Sequence, residues 1–160
     1  MIRSKELLGR QVVERATGRR LGRVAAVDYR PGEKYLRGLA VETAGLKVRR
    51  RYLRRTDIAL LGQAAVLADG PLRVLPAQVG SPEAVYLPDG CLFGRIAALE
   101  IDPATARVHA AWVRVSLAED LRQGCRRITA AELATREDRV LYHPPENEGT
   151  KGSERDDTVL

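Results

Sequence analysis

Apolar residues in this chain come in short runs separated by turns, and the runs are too brief for long helices. Residues 11–14 (QVVE) read as a first short strand, and residues 20–29 (RLGRVAAVDY) and 35–43 (YLRGLAVET) as a longer pair. Residues 93–101 and 107–115 repeat that longer pair, with Pro103 between them where Pro31-Gly32 stands in the first. Closing strands are predicted at 62–67 and 139–142. Helical spacing is confined to fragments: a turn at 56–57, Leu117, Ala118 and Leu121 within 117–123, and a capping-box pattern from Thr129 to Glu132. The predicted class is all-β with short helical elements.

Alternation in the long strands is imperfect. Val24 and Ala26 should face one way, and Leu21, Ala25, Val27 and Tyr29 the other. The second copy repeats this, with Ile96 and Ala98 against Phe93, Ala97, Leu99 and Ile101. A strand apolar on both faces wants cover on both. One face would line a barrel interior and the other would pack on a second unit, so the two units are expected to dock.

The repetition is literal. Residues 17–28 (TGRRLGRVAAVD) and 89–100 (DGCLFGRIAALE) align at a constant offset of 72, since Gly18 pairs with Gly90, Gly22 with Gly94 and Asp28 with Glu100. Gly18 and Gly90 sit where a hairpin turn needs positive φ. Gly22 and Gly94 fall inside a strand, which marks a bulge, a bend or a close backbone approach. The domain reading follows: a barrel over 1–68, a Pro/Gly-rich linker over 69–82, a second barrel over 83–143, and a disordered tail over 144–160.

Residues 4–14 (SKELLGRQVVE) followed by 17–28 resemble the opening of a PRC-barrel domain, with Gly9, Val12, Gly18, Gly22 and Val24 in the pattern. Asp57-Ile58 and residues 62–67 (GQAAVL) fit its close. The second copy keeps Gly90, Gly94 and Ile96, then Glu132-Leu133 and residues 139–142, but lacks the opening glycine. The resemblance implies two tandem small barrels packed about a pseudo-twofold. It also implies a non-catalytic interaction or adaptor module that docks on a protein partner. The alternative it implies is an RNA- or ribosome-associated factor.

Composition narrows the setting. The 160 residues carry a net charge of +6, and 30% are charged. From Pro144 onward, Glu146, Glu148, Glu154, Asp156 and Asp157 outnumber Lys151 and Arg155, giving −3, so the body carries +9. That balance suits anionic partners. The apolar run 58–68 is too short for the ~20 residues of a membrane span, and no secretory signal is read at the start. A cytoplasmic location is expected, as a monomer with an internal pseudo-dimer or as a homodimer.

Candidate chemistry is thin. Lys47, Arg49, Arg51, Tyr52, Arg54 and Arg55 form the most basic stretch, with the residue types that grip phosphates and stack on bases. In a strand, Lys47, Arg49 and Arg51 would share a face, while a solvated edge kept free of aberrant pairing is the plainer reading. Arg122, Arg126 and Arg127 occupy the comparable region of the second copy. Cys91 and Cys125 are expected to be reduced and buried. With His109 and His143 they lack metal-ligand spacing, so no metal, cofactor or catalytic set is expected. Asp28, Asp89, Glu100 and Asp102 are expected to satisfy backbone amides at turns. Trp112 is expected to pack in the core.

Overall fold

The computed structural model describes residues 1–115, 125–136 and 139–145. The first half is built from β2 (Gln11–Glu14), β3 (Arg20–Asp28), β4 (Gly38–Thr43), β5 (Arg50–Arg54), β6 (Ile58–Leu61), β7 (Ala65–Ala68) and β8 (Arg73–Val74). The second is built from β9 (Ala84–Tyr86), β10 (Leu92–Ile101), β11 (Val108–Val115), β12 (Cys125–Thr129), β13 (Leu133–Arg136) and β14 (Arg139–Tyr142). Before them come β1 (Ile2–Arg3) and the one-turn helix α1 (Ser4–Leu7). Single 3-10 turns at Arg55–Asp57 and Ala130–Glu132 precede β6 and β13. The second has Thr129 ahead of it but no side-chain cap bond, so the capping box read there does not form. The helical turn read at 117–123 lies outside the described residues.

The strands form two curled, half-closed sheets of seven strands each. The first runs β6-β7-β2-β3-β4-β5-β8. The second runs β13-β14-β9-β10-β11-β12, with β1 added to β10. The six strands common to both lie in one order. In each the short opening strand pairs parallel with the closing one, β2 with β7 and β9 with β14, while the other neighbours are antiparallel. The duplication therefore extends from sequence to topology.

A β-bulge in each long strand explains the broken alternation. The pairing of β3 with β4 shifts between Val24 and Ala26, and that of β10 with β11 shifts between Ile96 and Ala98. One extra residue reverses the parity of everything after it. Val24 stands opposite Val41, and Val27 opposite Leu39, so all four side chains point into one core. The bulges thus bring Val27 and Leu99 onto the core face that holds Val24 and Ile96, and leave Ala26 and Ala98, opposite Ala40 and Trp112, on the other face.

The mid-strand glycines are close approaches. A Cβ on Gly22 would stand 2.1 Å from the Glu42 carbonyl oxygen, and one on Gly94 2.6 Å from that of Arg114. Gly22 also has a positive φ, 157°, whereas Gly18 and Gly90, at 72° and 88°, sit in hairpin turns with open space around them.

The halves meet about a local twofold. Tyr35 and Arg107 form an antiparallel bridge, and they are equivalent residues, 72 apart (107 − 35). Beside it the Leu36 amide donates to the Ala106 carbonyl at 3.0 Å and the Val108 amide to the Lys34 carbonyl at 2.9 Å. The outer contacts are reciprocal too: the Leu61 amide donates to the Pro103 carbonyl, and the Thr135 hydroxyl to that of Pro31. Each half also lends its lead-in to the other. β1 pairs with β10, and Ser4 Oγ accepts from the Leu99 amide at 2.8 Å. Ahead of β9, the Gly80 carbonyl accepts from the Tyr29 amide, and Ser81 Oγ donates to the Val27 carbonyl at 3.3 Å. Val27 and Leu99 are again equivalent positions. Residues 69–82 are correspondingly tied down, with Arg73 and Val74 pairing with Tyr52 and Arg51. One hydrophobic core spans both halves, from Leu7, Val12 and Leu39 to Leu99, Ile101 and Val113.

Gly22→Ala should destabilise the chain by about 2–3 kcal/mol, because backbone and not a movable side chain occupies the space. Gly18→Ala should cost only about 1 kcal/mol, the penalty of a left-handed alanine in open space. Urea unfolding midpoints of the two variants check the ranking.

Candidate functional site

The basic stretch does not form one face. Backbone pairing of β4 with β5 begins at Glu42 opposite Arg50. Thr43 and Arg49 close it, the Thr43 amide donating to the Arg49 carbonyl at 2.8 Å. Residues 44–49 are therefore a hairpin tip, and Lys47 and Arg49 lie outside the strand that carries Arg51.

Tyr52 points away from solvent. Its ring crosses β4 over Gly38, where a Cβ would stand 2.5 Å from the ring carbon Cζ. The hydroxyl donates to Asp28 Oδ2 at 2.6 Å, and the Gly80 amide donates to Asp28 Oδ1 at 3.3 Å. Tyr52 is 8% exposed and Asp28 7%, so neither is free to stack on a base or hold an outside ligand. Burial, and then the bond to Asp28, raise the phenol pKa well above its usual value. Arg54 Nε donates to Asp57 Oδ2 at 2.9 Å, with Arg73 Nε 3.6 Å from the same oxygen. The Arg54 bond holds the Asp57 carboxyl below its usual range. Arg50 pairs with Glu42 at 3.4 Å, and the Arg55 guanidinium lies 4.5 Å above the Tyr35 ring. What remains of the stretch as exposed charge without an ion pair, among the described residues, is Lys47, Arg49 and Arg51.

The second half places different residues in the same outer-face position. Glu100 accepts from Arg127 Nη2 at 2.9 Å and from Trp112 Nε1 at 2.9 Å, and Arg3 lies 4.8 Å over the indole. Trp112 is thus half-buried on the outer face, held by a carboxylate and a guanidinium, and not in the core. Asp28 with Tyr52 and Glu100 with Arg127 are one device in two chemistries: an acid at the end of the long strand, bound to a donor two strands away. These acids were expected to serve turn amides. Asp28 does so through the Gly80 amide, and Asp89 and Asp102 through the amides of Cys91, and of Ala104 and Thr105, whereas Glu100 binds side chains. The acid–donor pairs escaped the sequence because the offset grows from 72 at Glu100 to 75 at Arg127 (127 − 52), so Arg127 does not align with Tyr52. Arg122 lies outside the described residues, and Arg126 is exposed on β12.

Both cysteines are free, Cys91 exposed in a turn and Cys125 half-buried, where burial was expected. The bond between Cys91 and Asp89 raises the thiol pKa. Among the described residues no three His, Cys, Asp or Glu side chains gather into a metal site, and no helix is long and apolar enough to cross a membrane. Between β3 and β10 runs an open groove of about 400 Å³, floored by Ala25, Ala26, Ala97 and Ala98 and edged by Leu8. The sheet edges differ. β8 covers β5 at Arg51 and Tyr52, whereas the equivalent side of β12 pairs with no strand among the described residues.

Tyr52→Phe should cost about 1–3 kcal/mol, because it strands a buried carboxylate oxygen; thermal unfolding reads the loss. Glu100 gives a pH signature. Its bond to Arg127 lowers its folded pKa below the ordinary 4.5. Its stabilisation is therefore present above the ordinary value and drains away as pH falls through the folded one. Glu100→Gln should lower the melting temperature at neutral pH and flatten its decline between about pH 5 and 3.

No protein-family model matches this chain, and no curated protein matches it in sequence.

Proposed function

We propose that the chain is a non-catalytic docking module of the PRC-barrel type, binding a protein partner that supplies an extended segment. The glycine and strand pattern of the two copies supports the family reading. The observation that carries the docking reading is the outer edge of β12, which pairs with no strand among the described residues. An uncovered edge presents backbone N–H and C=O groups that an added strand can satisfy. On the first sheet the equivalent edge takes β8, so the curvature there admits a further strand. Arg126, exposed on β12, favours a partner segment carrying acids.

RNA association through the Arg49–Arg55 region is the second reading, and Lys47, Arg49 and Arg51 are its exposed cations. The burial of Tyr52 removes the stretch's own aromatic platform, which favours the protein partner.

Affinity purification from the native organism, with and without nuclease, separates the two. A protein partner should survive nuclease and be lost on Arg126→Asp, while Arg49→Glu with Arg51→Glu leaves it bound. Loss of all partners on nuclease treatment, together with loss on the Arg49/Arg51 change, would replace this reading with the RNA one.

A further inference from the structure

The tip between β4 and β5 departs from ordinary hairpin chemistry. Its residues 44–49 read AGLKVR. Leu46 is fully exposed, Val48 is 69% exposed, and Val74, opposite Arg51 on β8, is 77% exposed. Scattered exposed aliphatics are common, but these three cluster at one end of one sheet. Between them stand Lys47, Arg49 and Arg51, exposed and without an ion pair among the described residues. No acid occurs from Thr43 to Thr56, so the tip's charge has a single sign. Its base is firm. The Thr43 hydroxyl and the Arg49 backbone bond each other at 3.2 and 3.3 Å beneath the protruding loop.

We propose that this tip docks on an anionic lipid surface, with Leu46 and Val48 entering the headgroup–acyl boundary and Lys47, Arg49 and Arg51 meeting lipid phosphates. Alternating aliphatic and cationic side chains match an interface that offers apolar depth and anionic charge together. A nucleic acid would use the cations but give the two aliphatics no partner. A folded protein would need a shaped apolar pocket lined by acids, whereas a fluid interface accommodates a convex tip as it stands. This site lies on the first sheet, apart from the β12 edge, and stands or falls independently of the protein partner.

The test is cosedimentation of the full chain with vesicles of phosphatidylcholine, with and without phosphatidylserine. Binding is expected only to the phosphatidylserine vesicles, weakening with salt. Leu46→Ser with Val48→Ser should reduce partitioning about tenfold, and Lys47→Glu with Arg49→Glu should abolish it. Both pairs are surface changes, so an unaltered melting temperature verifies folding. The proposal is overturned if anionic vesicles fail to pellet the chain. It is equally overturned if the serine pair binds as well as the parent, which would reduce the tip to a general polyanion contact, or if a single-stranded oligonucleotide competes fully with the vesicles.

Discussion

The backbone bridge between Tyr35 and Arg107 is the constraint on which the rest of the molecule turns. An antiparallel bridge between equivalent residues of a duplicated chain must lie on a local twofold, and several other contacts across the seam accordingly come in approximate pairs. Leu61 to Pro103 is answered by Thr135 to Pro31, and Ser4 to Leu99 by Ser81 to Val27. Each half's lead-in lies on the other's long strand, and the second sheet takes β1 from ahead of the first half. A unit of about 70 residues is marginal as an independent domain, and exchange of lead-ins with a shared core supplies burial that one copy lacks.

The bulges at Ala25 and Ala97 make this packing possible. Without them, Val27 and Tyr29 would turn away from the core that holds Val24, and the long strands would present apolar side chains to water. With them, one face serves the core along the whole strand, and small alanines are left where the two long strands run past each other. The glycines at 22 and 94 act just ahead of each bulge, letting the neighbouring strand's carbonyl approach closer than any side chain permits.

Charge is distributed by the same geometry. Much of the arginine-rich stretch is consumed internally, by Asp57, by Glu42 and by the Tyr35 ring, and Tyr52 is drawn inward by Asp28. Of the cations left over, Lys47 and Arg49 stand at the hairpin tip, and Arg51 stands just inside the sheet on β5, opposite Val41 and Val74. A contiguous basic run in sequence becomes a buried anchor, a set of local ion pairs and a small exposed patch, three roles with different consequences for binding.

The duplication, the all-β class and the turn and mid-strand glycines were legible in the residues alone, since each rests on local backbone chemistry or on comparison of the chain with itself. The two-faced reading of the long strands was not, because a bulge is a relation between neighbouring strands and a period of two cannot register it. The partners of Asp28 and Glu100 were hidden for a related reason: they lie two strands away, and loops of unequal length shift their numbering between the copies. Tyr52 looked like a surface aromatic among arginines until Gly38 on the adjacent strand opened the path to Asp28. The sequence by itself thus determined the long central strands, a short opening strand and the closing strands, and that the pattern would come twice. Only the tertiary structure decided which side chains face inward and which charges remain unspent, because those depend on strand register and on the twofold that joins the halves.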